Sequence, residues 1–238
     1  MNMNTADKIK EIQKLVGVTA DGIIGPKTVD AILKALMPLS TEPTESVDEI
    51  RKLMAAKILN MEDSRVTGPE SLRVTPLPSG DGGGKWEICG ISDGIEPQVF
   101  KAIKKELDQG NREVAWDMCL NYLLKNTNSV LTFHTAGLGS EFMLRDIIFN
   151  MGVGGCVKVM QAMIGVKVDG AYGPNTQRAW DVALGEYSDH ELIAELDIYC
   201  RDRYNRIVSA NPVKKKFLNG WMNRCAERKK YALRLASV

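Results

Sequence analysis

Apolar residues recur at helical spacing along most of the chain. Near its start Ile9, Ile12, Leu15 and Val16 share one face and Val29, Ile32, Leu33 and Leu36 another, which predicts two helices between Thr5 and Leu36. The stretch MPLSTEPTE interrupts both periods with its prolines and places a linker at 39–46. Ser46 then opens S-V-D-E, a capping-box pattern, ahead of the apolar face Ile50, Leu53, Met54, Ile58 and Leu59, and that helix should stop near Met61 or Glu62. The texture changes at SLRVTPLPSGDGGGKWEICGIS, where β-formers flank a turn rich in Pro, Ser and Gly, as in a hairpin. From Pro97 the helical period returns and predicts helices near 97–109, 111–126, 139–151, 153–164, 174–184, 188–209 and 219–235. The expectation is a mainly helical α+β architecture with one small β-hairpin, preceded by a small helical module at 1–38.

Composition narrows the class. With 238 residues, 44% of them hydrophobic and 26% charged, the chain is long enough for one large or two small domains, and it contains no apolar run of membrane-spanning length. The opening MNMNTADKIKEIQ lacks the apolar core of a secretory signal, so the expectation is synthesis in the cytoplasm and action elsewhere only after release. Five cysteines at irregular spacing, with no C-x-x-C, read as reduced, buried thiols. His134 and His190 have no second ligand type nearby at metal spacing, so neither a metal nor another cofactor is expected. The net charge of +1 hides a basic end, where Lys and Arg between Arg201 and Val238 outnumber Asp202 and Glu227. Such a run is either a solvated helix face or a contact for an anionic partner.

The chain also repeats itself. IQKLVGVTADGIIGPKTVDAI, from Ile12, and MQAMIGVKVDGAYGPNTQRAW, from Met160, share Gln, Gly, Val, Asp-Gly, Gly-Pro, Thr and Ala. Gly17 and Gly165 suit left-handed helix caps, the Asp-Gly pairs suit tight turns, and Pro26 and Pro174 suit the first turn of a following helix. The repeat is thus a helix-turn-helix hairpin that largely specifies its own geometry. Its DG-x-x-GP-x-T core resembles the peptidoglycan-binding helical module, which implies a shallow groove for glycan or stem peptide around the turn. On that resemblance Asp21, Thr28 and Tyr172 are candidate substrate contacts. Asp21, Thr28, Asp169 and Thr176 read equally well as helix caps.

Residues 47–238 resemble the glycoside hydrolase family of bacterial and phage N-acetylmuramidases, family 108, whose C-terminal part carries a built-in peptidoglycan-binding module. The matching pieces are ILNME, GDGGGKWEICGI, RDIIFNMG, DGAYGPNT and GWMNRCAER, in that order. The resemblance implies a lysozyme-like body in which Glu62, ending the first helix, is catalytic. The chain departs from the family where E-G-G becomes Glu62-Asp63-Ser64, where Asp81 lies farther from Glu62, and where Glu87 stands in place of Thr.

Glycosidic cleavage needs one carboxylic acid to protonate the departing oxygen and a second group to steer water or form a covalent intermediate. A helix C-terminus and partial burial both favour a protonated Glu62. Glu62 is therefore read as general acid and Glu87 as base, water-positioner or nucleophile, with Asp81 the rival for the second role and Glu70 a competing acid. Trp86 and Glu87 alternate on a strand, so one should meet the core: Trp86 packs if Glu87 faces the cleft, and stacks on sugar if it does not. Asn150, ending RDIIFN, belongs on the cleft floor by resemblance, although a helix C-cap explains it too.

The resulting expectation is a monomeric peptidoglycan hydrolase, of the kind a phage endolysin is, cutting between N-acetylmuramic acid and N-acetylglucosamine. Its N-terminal module tethers it to the wall, and its basic C-terminal helix contacts an anionic outer envelope. The alternative is a wall-binding scaffold without catalysis. Nucleic-acid binding fits poorly, because the repeated turn is longer than a DNA-reading turn and the helix after it is not enriched in Lys or Arg.

Overall fold

The computed structural model describes residues 4–25, 27–29, 31, 46–77 and 83–237. The face Ile32, Leu33 and Leu36, all of the linker but Ser46, and Asp81 lie outside the described residues. The chain divides into two compact units, Met1–Val47 and Asp48–Val238.

In the first unit, α1 (Thr5–Leu15) begins where the Asn4 side chain accepts from the Asp7 backbone N–H at 2.9 Å. Asp7 in its first turn and Lys14 in its last suit the helix dipole. The helix stops at Gly17, whose φ of 73° only glycine adopts without strain.

The unit boundary falls after the first residue of α2 (Val47–Glu62), which buries Met54, Ala55, Ile58 and Leu59 in the second unit. A 3₁₀ turn at Pro69–Ser71 leads into an antiparallel sheet of β1 (Thr75–Pro76), β2 (Trp86–Ile88) and β3 (Ile91–Ser92), in the order β1-β2-β3. The sequence pattern anticipates the first hairpin. The second was not read: Cys89 and Gly90 both take positive φ, 49° and 82°, the backbone of a tight two-residue hairpin turn.

Helices follow: α3 (Pro97–Asp108), α4 (Arg112–Asn126), a short α5 (Val130–Phe133), α6 (Leu138–Met163), α7 (Pro174–Glu186), α8 (Asp189–Ala210) and, after a 3₁₀ segment at Pro212–Phe217, α9 (Leu218–Leu235). α6 breaks at Gly152 (φ 72°, ψ 167°), so the two helices expected on either side of that residue meet at a kink. Its first half is buried on nearly every side, from Gly139 through Ile148, which is why it carries so few exposed polar positions. α6, α8 and α9 pack on one another and form the middle of the body. The architecture is mainly helical with a small antiparallel sheet, as the sequence pattern predicts.

All five cysteines are free and buried. The basic C-terminal run is not one solvated face, because α9 turns Arg228 fully inward and leaves Arg224 nearly covered.

Candidate active site

Glu62 sits at the last residue of α2, where the helix hands the chain to the loop before the sheet. Its carboxylate lines a cavity of 360 Å³ together with Gly90 from the β2–β3 turn, Tyr122 and Asn126 from α4, and Phe149 and Asn150 from α6. Gly90 is forced by geometry, because a β-carbon there would have to adopt its positive φ while touching the Phe149 ring at 3.4 Å and Glu62 Cγ at 3.6 Å. The turn closes down onto the catalytic candidate because it has no side chain.

Behind Glu62 runs a line of buried charge. Arg224 Nη1 lies 2.6 Å from Glu62 Oε1, and Arg224 Nη2 lies 2.6 Å from Asp146 Oδ1. Asp146 is fully buried and is held from its other side by Arg228 Nη1 at 3.2 Å. Arg228 in turn donates through Nη2 to Cys225 Sγ at 3.2 Å. The spacing explains the assembly: Arg224 and Arg228 are four residues apart on α9, as Asp146 and Asn150 are on α6, so each helix presents two of these groups on one face.

Burial pushes the Glu62 carboxyl above the usual carboxylate range. Arg224 opposes that rise, while the charges of Asp146 and Glu87 add to it. The Glu62 side chain keeps 24% of its surface in solvent while Asp146 keeps none, so Glu62 is the carboxylate of the pair that a proton from the cavity reaches.

Asn150 lies in the same cavity as Glu62. Its Oδ1 accepts from the Tyr204 hydroxyl at 2.7 Å, which leaves the amide N–H donors as the polar group it offers there. Tyr204 is itself fixed by stacking on Trp221, with ring centroids 4.8 Å apart.

The other candidates are more dispersed. Glu87, half-buried on β2, faces Thr75, whose hydroxyl lies 3.5 Å from Glu87 Oε1; its charge reaches Glu62, but it does not line the cavity. Trp86 points to the opposite side and is 46% exposed. The expectation that one of this pair must enter the core is corrected, because β2 is only three residues long and it is Ile88, at its end, that is buried. Glu70 is 87% exposed beside Arg112 and stands outside the cavity. Asp63, where the resembled family has Gly, is taken up in ion pairs with Arg65 and Arg73.

In the first unit, Asp21 and Thr28 border a groove of 690 Å³ with Gly17, Thr19, Ile23 and Lys27. Both are engaged internally: the Gln13 side-chain amide donates to Asp21 Oδ1 at 2.7 Å, Ile23 O at 2.9 Å and Thr28 Oγ1 at 3.1 Å, while Gln13 Oε1 accepts from Gly22 N at 2.8 Å. Thr28 is 5% exposed. The second copy repeats the pattern, Gln161 donating to Asp169 at 2.8 Å, Ala171 O at 3.0 Å and Thr176 at 3.1 Å and accepting from Gly170 N at 2.8 Å. Tyr172 packs its ring on Phe133, centroids 4.5 Å apart, and donates to the Phe133 carbonyl at 3.4 Å. Burial pushes its phenol up to about 12, as expected for a packing tyrosine.

Residues 155–226 match the family described as "Predicted Peptidoglycan domain". The match associates the chain with peptidoglycan. It spans the Gln161 turn, α7, α8 and the start of α9, including Arg224, and stops short of Glu62. A solved structure of Brucella abortus SagA is similar to the chain at 18% identity with a TM-score of 0.49, covering 78% of this chain and 97% of that one. No curated protein matches the chain.

Sequence reading missed Arg224, Asp146, Arg228 and Tyr204. The i,i+4 pairs Asp146/Asn150 and Arg224/Arg228 were visible as spacings, but their partners lie on other helices.

Proposed function

We propose that the Asp48–Val238 unit hydrolyses the glycan of peptidoglycan between N-acetylmuramic acid and N-acetylglucosamine, with Glu62 as general acid. The observation that carries this reading is the position of Glu62: at a helix C-terminus, on the wall of a cavity, in surroundings that raise its proton affinity. A protonated carboxyl there donates to the bridging oxygen of a sugar lying in the cavity. Asn150 offers N–H donors to an acetamido or hydroxyl oxygen of the same sugar. Glu87, whose charge reaches Glu62 from outside the cavity lining, is proposed as base, water-positioner or nucleophile, with Asp81 its rival for that role. The association of residues 155–226 with peptidoglycan supports the choice of substrate. The Met1–Val47 unit, with its related turn, adds a second contact to the wall and raises residence there. The work is done at the wall after release from the cytoplasm.

The 2.6 Å pair with Arg224 favours a second reading, a wall-binding protein whose Glu62 stays ionised and inert. Incubation of purified sacculi with the protein separates the two. Hydrolysis releases fragments with reducing muramic acid ends, detected by mass spectrometry, from the wild type and not from Glu62→Gln. Binding without release by either protein leaves only the second reading.

A further inference from the structure

The guanidinium of Arg224 is shared unequally. Its fork, Nη2 and Nε, is occupied by Asp146, at 2.6 Å for Nη2 and at 3.1 and 3.3 Å for Nε. Only Nη1 is left for Glu62. Nη2 and Nε converge mainly on Oδ1 of Asp146, so two N–H groups of Arg224 are committed to the carboxylate that does no chemistry and one to Glu62. Asp146 cannot turn elsewhere, because it is fully buried and also held by Arg228.

We propose that Asp146 is a positioning residue for the reaction: by occupying the fork of Arg224 from the buried side, it keeps Arg224 from fixing Glu62 as a permanent carboxylate and leaves Glu62 free to carry the proton. The proposal rests on Glu62 being the acid. Charge counting gives Asp146 its part: without it Glu62 would face two guanidiniums, Arg224 and Arg228, with no other carboxylate between them, and Asp146 cancels one of those charges. With Glu62 ionised, Glu62, Arg224, Asp146 and Arg228 sum to zero; with Glu62 protonated, one positive charge remains, spread over two guanidiniums that both hold Asp146 and one of which also donates to Cys225. An Arg224 without Asp146 would meet Glu62 with its whole fork and hold its charge. The remaining groups facing Glu62 act in the opposite sense or are neutral: Glu87 from β2 repels a second negative charge, Cys89 next to Gly90 is held protonated by burial, and Tyr122 and Asn126 from α4 carry no charge at neutral pH. Asp63, next in the chain, is engaged by Arg65 and Arg73.

The test is a carboxyl ¹³C NMR titration of Glu62 in the full chain, with the resonance assigned by its loss in Glu62→Gln. Asp146→Asn should move the midpoint down and Arg224→Gln should move it up, each by about one pH unit or more, the size expected for a charge a few ångströms away. Opposite signs distinguish positioning from damage, since a merely structural role would move both variants alike or neither. Should Asp146→Asn fail to fold with Arg228 stranded, Asp146→Asn combined with Arg228→Met removes the stranded cation and carries the same downward expectation. An unchanged midpoint, or shifts of one sign in both folded variants, overturns the proposal. The titration needs no substrate, so it separates this inference from the hydrolase reading: the midpoints can move as expected while Glu62→Gln still hydrolyses sacculi, and then only the function is wrong.

Discussion

Gln13 and Gln161 make the same four hydrogen bonds in two copies of one turn, each amide reaching an Asp, a backbone carbonyl and a Thr, and each side-chain carbonyl capping a glycine N–H. Both glutamines are buried and so are their threonine partners, while Asp21 and Asp169 reach solvent, so it is the inner half of each network that has no water to fall back on. The repeated residues are therefore mostly the hardware of the turn. Gln161→Ala should destabilise the body by about 2 kcal/mol, the scale of a buried Thr176 hydroxyl and a half-buried Gly170 N–H losing their partner, and urea denaturation would measure it. A loss below about 1 kcal/mol would mean that water replaces the amide.

Glu62→Gln should lower hydrolysis of sacculi at least about a hundredfold, the usual contribution of a general acid. Glu70→Gln should leave it unchanged, since Glu70 lies out at the surface. Turbidity loss of outer-membrane-stripped cells reads both. Full activity in Glu62→Gln would falsify the acid assignment.

The raised proton affinity of Glu62 fixes the sign of two pH effects. Activity should fall as pH rises through the Glu62 titration, because the donor is lost. Stability follows the same direction: a carboxyl whose folded pKa is raised stabilises the fold fully below its unfolded value, about 4.3, and loses that contribution as pH rises through the folded one. Thermal melts across pH 4 to 8 should show wild type losing stability relative to Glu62→Gln as pH increases. A difference independent of pH would contradict the raised value.

Glu87→Gln and Trp86→Ala should behave differently. Removing the Glu87 carboxylate takes away the second reacting group, with a loss of about a hundredfold or more in kcat. Trp86 is exposed on the other face of β2, away from the side on which Glu87 would react, so its loss should leave kcat and KM nearly unchanged. Steady-state kinetics on soluble glycan fragments discriminate the two. Equal kcat losses would show that the strand itself had been disturbed.

Deletion of residues 1–38 should weaken cosedimentation with sacculi and leave hydrolysis of soluble fragments intact, because tethering raises local concentration without adding a reacting group. Loss of both would assign the module a part in the site.

Much of this protein is local and therefore legible. Helical periods, the Ser/Gly-rich hairpin, the glycine caps of the repeat and the end of α2 at Glu62 follow from residues within one or two turns of each other. The Cys89-Gly90 turn escaped because cysteine rarely takes positive φ, and only the approach of Phe149 and Glu62 shows why glycine follows it. Trp86 and Glu87 escaped because alternation tells which side chains oppose each other, but not how soon a short strand runs out of core. Sequence spacing put Asp146 beside Asn150 and Arg224 beside Arg228; it could not say that α6 and α9 bring these pairs together behind a carboxylate 84 residues before the first of them. Charge partnership across helices is a property of packing, where a desolvated ion must find its counter-ion whatever the distance along the chain, and only the tertiary structure decided it.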